Sequence, residues 1–255
     1  MREFPLLMNS NLYSLHSNLF GKIMTREPII SPTKADRLYW LGRYTERAYF
    51  NLHLMRRYYD MMIDGQAEDY KEYFENLGGQ IEYPDKKFAI LGYMYDAENP
   101  NSILNGIERA NDNAIVLREE ITSESLAFIQ MSLVKINKEA QRQDSNITNL
   151  QPITDWLLAF WGSIEERMLD HRAKSIIKTG KVIEQIDMKL RFGYPFFKLK
   201  ESIESLFELA DNEPGIFDQD VLEDLSCLLV ETKYDPEDAG YRNQVLGYIA
   251  KIVLI

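Results

Sequence analysis

The chain has 255 residues, with 40 Asp and Glu against 29 Lys and Arg, giving a net charge of −11. That balance excludes a sequence-independent nucleic-acid binder, which needs clustered cations. The single cysteine, Cys227, excludes an intramolecular disulfide framework and fits a reducing cytoplasm, and no run approaches the ~18 apolar residues of a membrane-spanning helix.

Residues 1–30 lack sustained periodicity and the layout of a secretory leader, and read as a weakly ordered extension. Residues 31–255 read as one helical domain. Ser31-Pro32-Thr33 carries helix-start chemistry, and Asp64-Gly65 a stop. Between them Leu38, Leu41, Thr45, Ala48, Leu52, Met55, Tyr59 and Met62 recur at steps of three and four, along one helical face. Tyr39, Trp40, Tyr44, Tyr49, Phe50 and Tyr58 widen that face, which predicts a central helix. Asp69 to Leu77 reads as a short helix before Gly78-Gly79. Residues 80–101, with Pro84, Gly92 and Pro100, read as a connection bearing one apolar patch at 88–94. Asn99-Pro100-Asn101-Ser102 signals a turn and a helix start.

Further helices are predicted near 102–120, 122–141, 152–169, 171–192, 196–211, 217–232 and 238–254. Strands should be few, and the short connections favour antiparallel packing. The fold class is therefore all-α, a single multi-helix bundle. Leu225, Leu228 and Leu229 around Cys227 predict a buried thiol.

Two of these helices share a degenerate pattern at a spacing of 138 residues. Gly42, Arg43, Glu46 and Arg47 in the first align with Gly180, Lys181, Glu184 and Gln185 in the second. A mid-helix Gly costs ~1 kcal/mol relative to Ala, so its recurrence four residues before a Glu predicts a close backbone approach. A carboxylate in an apolar helix needs partners. Glu46 is expected to reach Arg43 or Arg47, and the cations Arg43, Arg47 and Lys181, with Arg109 or Arg118, are expected to compensate Glu46 and Glu184. Three readings follow: an ion network that fixes helix register, a binding or catalytic pocket for a carboxylate, phosphate or peptide terminus, or surface salt bridging.

Several chemistries lack their residues. The three histidines, His16, His53 and His171, are scattered, and no Glu-x-x-His, His-Glu-x-x-His or Cys-x-x-Cys occurs. Neither a Gly-rich phosphate loop ending in Lys-Ser/Thr nor Gly-x-Ser-x-Gly is present. No metal or cofactor is expected. His53 reads as partly buried, and the aromatic cluster at 39–59 as core packing.

Residues 35–48, from Ala35 through Trp40, Gly42, Arg43, Glu46 and Arg47 to Ala48, resemble the Alpha-E family. So do Asp96, Asn99, Pro100, Ser102, Asn113 and Arg118 in the stretch 96–124, and the pattern around Gly180 and Glu184. The likeness spans residues 31 to about 195. It departs at Lys181 and Gln185, where the family's second motif usually carries Arg. The resemblance implies a bacterial, all-helical protein. It also implies a genetic neighbourhood with an ATP-grasp-like ligase and a transglutaminase-like protein, hence an accessory role in making or processing a peptide or amide-linked product. The alternative is an enzyme or ligand-binding protein built on Glu46, Glu184, Arg43, Arg47 and Arg118.

Overall fold

A computed structural model describes residues 30–63, 75–77, 83, 86–143 and 146–255. The expectations for the N-terminal extension, for most of the short helix at 69–77 and for the Asp64-Gly65 stop lie outside the described residues. Pro32–Ile255 forms one compact unit.

The long helix α1, Pro32–Ile63, is the axis of the bundle. Its 32 residues correspond to about 48 Å of helix. The stripe is buried where it meets the other helices: Leu38, Leu41, Thr45, Ala48, Leu52 and Met55 are all inside. Next comes α2, Lys86–Tyr95, where the sequence suggested only a connection. Ala89, Ile90, Tyr93 and Met94 are buried, so tertiary packing makes a helix of the apolar patch despite Gly92. Two helices replace the single one expected near 102–120: α3, Ile103–Val116, and the one-turn α4, Arg118–Ile121.

Ser123–Arg142 forms α5. A 3-10 turn at Ile147–Leu150 leads into α6, Gln151–Arg167, with Pro152 in its first turn. The second patterned helix is α7, His171–Arg191, capped by Asp170, whose side chain accepts from the Ala173 N–H. It ends at Gly193, which adopts φ 60°. There the Tyr194 N–H bonds the Lys189 carbonyl at 2.9 Å, the closing bond of a glycine C-cap. Then follow α8, Phe196–Asn212, a 3-10 turn at Pro214–Ile216, α9, Gln219–Leu228, and α10, Ala239–Ile249.

The layers follow from these faces. α1 packs against both α7 and α3, α5 pairs with α6, and α8 covers α7. Among the described residues there is no strand, only an isolated antiparallel bridge between Phe217 and Val253. No described helix is long and apolar enough to cross a membrane.

Cys227 corrects the sequence reading: it is exposed. Leu225 on α9 and Leu229 at its C-cap are buried, one turn apart, and Cys227 between them faces out. His53 is likewise exposed, with its ring against Tyr49 at 4.6 Å between centroids.

Candidate buried ion layer

The two mid-helix glycines mark where α1 crosses α7. A Cβ on Gly42 would lie 2.2 Å from the Ile177 carbonyl oxygen, and one on Gly180 would lie 2.1 Å from that of Tyr39. Neither distance is compatible with a side chain. The contact is reciprocal: Gly42 covers Ile177 to Lys181, and Gly180 covers Tyr39 to Arg43. The expected close approach is therefore that of these two helices to each other.

This proximity lets side chains on one helix reach carboxylates on the other. Glu184, with no exposed side-chain surface, is the centre of the layer. It accepts from Arg43 Nε at 2.7 Å, from Arg47 Nε at 2.5 Å and from Arg47 Nη2 at 3.1 Å. Arg43 also donates to Asp187 Oδ2 at 3.0 Å, and Arg191 Nε reaches the other Asp187 oxygen at 2.6 Å. The Arg43 guanidinium further bonds the Tyr39 hydroxyl at 3.3 Å and lies 5.4 Å from the Trp40 ring centroid, a cation–π contact. Burial would push the Glu184 carboxyl up, but the Arg47 and Arg43 charges outweigh it and hold the group below its ordinary range.

Glu46 is placed differently from expectation. It does not pair with Arg43 or Arg47, because both arginines extend across the crossing to α7. Instead its Oε1 accepts from Gln185 Nε2 at 2.8 Å, while its buried Oε2 has no hydrogen-bond partner among the described residues. Burial raises the Glu46 carboxyl above its ordinary value, against the pull of Lys181 and the Gln185 hydrogen bond. Arg43 and Arg47 stand to Glu184 as Lys181 and Gln185 stand to Glu46. Gln185 keeps its contact, but Lys181 turns aside, its ammonium 4.5 Å from the Trp161 ring centroid. One carboxylate is thus fully compensated and the other is not.

Other sequence candidates lie elsewhere. Arg118 is exposed at the start of α4 and takes no part in the layer; a family-motif position carries no information about which helix face it falls on. Arg109 bonds Asn105 at 2.7 Å and the Tyr44 hydroxyl at 3.3 Å. The stretch from Asp96 to Ser102 is a turn-and-cap device. Asp96 accepts from the Glu98 N–H at 2.9 Å, Asn99 from the Asn101 N–H at 2.9 Å, and Ser102 from the Asn105 N–H at 3.0 Å. Pro100 is exposed within this turn. Asn113 ties α3 to α1 by accepting from Arg37 at 3.2 Å.

Sequence reasoning missed Asp187, although its place three residues after Glu184 puts it on the same face. It also missed a polar chain running from Glu46 toward the surface. Lys189 donates to Ser202 at 2.8 Å, Ser202 to Gln185 Oε1 at 3.0 Å, and Gln185 to Glu46. Burial lowers the Lys189 ammonium below its ordinary value. These groups open on a cleft of about 690 Å³ between α7 and α8, which Lys181 also lines and which Arg43, Glu46 and Glu184 do not.

Fold and layer together define an all-helical protein whose two central helices cross at paired glycines and lock through buried arginine–carboxylate bonds. The chain belongs to the Alpha-E family, described as a predicted alpha-helical domain with a conserved ER motif, whose family model matches residues 31–212. Glu46-Arg47 supplies a Glu-Arg pair within that span. No curated protein and no solved structure matches the chain.

Proposed function

We propose that this chain is a cytoplasmic helical accessory subunit that works beside an ATP-grasp-like ligase and a transglutaminase-like protein in a bacterial system forming or processing peptide or amide bonds. The observation that carries the non-catalytic part is the closure of the ion layer. Arg43 is 8% exposed and Glu184 0%, and their charges are spent on each other and on Asp187. A group used this way fixes helix register, whereas a catalytic group must meet substrate. The partner assignment is supported by the family resemblance and its genetic neighbourhood. The lone cysteine agrees with a reducing compartment.

The test uses the purified chain with an ATP-grasp-like ligase from the same source organism. Co-elution in gel filtration, together with a rise in ligase turnover on adding the chain, is expected. Separate elution with unchanged turnover would overturn the reading.

A further inference from the structure

We propose that the cleft between α7 and α8 binds a short zwitterionic peptide, with its carboxylate against the lysines of α7 and its amino terminus against the glutamates of α8.

The two walls are opposite in charge. α7 contributes Lys174, Lys178, Lys181 and Lys189, with Glu165 of α6 on the same side beside Lys178, and α8 contributes Glu201 and Glu208. Among the described residues, no ion pair joins one wall to the other. Lys174 donates to the Glu165 carbonyl at 2.7 Å, Lys178 lies 3.4 Å from the Glu165 carboxylate, and Lys189 is engaged by Ser202. Lys181 has only the Trp161 ring as a close partner. Leu199, Ile203 and Leu206 of α8 are buried, and Ser202 ties the two walls together through Lys189 and Gln185.

Charge selects the class of ligand. A polyanion such as a nucleotide would meet the α8 glutamates, and a polycation would meet the α7 lysines. A molecule with one charge of each sign at opposite ends satisfies both walls. The volume of about 690 Å³ lies in the range of small-ligand sites, roughly 300–1,000 Å³, and accommodates a peptide of a few residues. Ser205 on the lining offers a hydroxyl for the peptide amides between the two ends. Lys181 is placed for the ligand carboxylate because, although its charge acts on Glu46, its ammonium forms no ion pair among the described residues and lies over the Trp161 ring. The proposal stands on the cleft alone: failure here leaves the accessory reading intact, and failure of that reading leaves the cleft intact.

The experiment is an amide-resolved NMR titration of the full chain with trialanine, N-acetyl-trialanine, trialanine amide and inorganic phosphate. Trialanine is expected to give saturable shifts confined to α7 and α8, and capping either end is expected to weaken binding about tenfold or more. Lys181→Gln should abolish the difference between trialanine and its amide, and Glu208→Gln that between trialanine and its acetylated form. Absence of saturable shifts at about 10 mM peptide, binding indifferent to both caps, or equal competition by phosphate would each overturn the proposal. The capped peptides decide this on the wild-type chain even if a variant does not fold.

Discussion

Gly42 and Gly180 each lie where a Cβ would collide with the other helix's backbone, 2.2 Å from Ile177 O and 2.1 Å from Tyr39 O. Alanine at either position gains ~1 kcal/mol of helix propensity but forces two packed helices apart, an overpacking that costs about 1–3 kcal/mol or more. Because the obstructing atoms are backbone, the collision should dominate, and both Gly42→Ala and Gly180→Ala should lower stability. Gly162, exposed within α6 and with nothing within 4 Å of an added Cβ, should respond in the opposite sense, gaining about 1 kcal/mol as alanine. Denaturant unfolding of the three variants checks this, and a loss at Gly162 equal to that at Gly42 would refute the crossing geometry.

The ion layer makes a sharper statement about partners. Glu184→Gln strands the Arg47 charge and leaves Arg43 with Asp187 alone, and should cost about 3–5 kcal/mol, the range for breaking a buried pair. A double-mutant cycle on Arg43 and Glu184 should return a coupling above ~1 kcal/mol, whereas the cycle on Arg43 and Glu46 should fall near zero. The reverse ranking would mean that Arg43 pairs along its own helix.

The two glutamates should give opposite pH dependence. Glu46 is raised in the fold, so the folded chain holds that proton more tightly than the unfolded one. Stability from this group is greatest below the ordinary carboxylate value and declines as pH rises through the raised one. Glu184 is depressed, so its contribution is full above the ordinary value and is lost as pH falls through the lowered one. Glu46→Gln, which keeps an oxygen for Gln185, should therefore stabilise the chain near neutrality and have little effect in acid. Unfolding free energies of both proteins between about pH 3 and pH 8 test the sign; a constant increment across that range would contradict it.

Cys227 is exposed on α9. A chromogenic disulfide reagent should titrate about one thiol per native chain without denaturant. Labelling that appears only on unfolding would restore the buried thiol that its leucine neighbours suggest.

How far the residues alone led can be judged from the layer itself. The glycine positions announced a close approach because a mid-helix Gly is unfavourable unless something occupies the missing Cβ. Buried carboxylates announced a need for cations on the same grounds of desolvation. The partners were not legible. Arg43 and Arg47 are near Glu46 in sequence, yet reach Glu184 because the crossing puts α7 within range. The helix at Lys86–Tyr95 was missed because its Gly92 and the nearby Pro84 read as loop chemistry.

By itself, then, the sequence determined an all-helical chain with a central amphipathic helix, a recurring Gly-x-x-x-Glu pattern and the Alpha-E resemblance, since periodicity and local propensity are properties of short segments. Only the tertiary structure decided that Glu184 takes both arginines while Glu46 keeps Gln185. It alone placed Arg118 away from the layer and opened a cleft of mixed charge between α7 and α8. Those outcomes depend on where two helices cross and how far side chains reach between them, which no local pattern encodes.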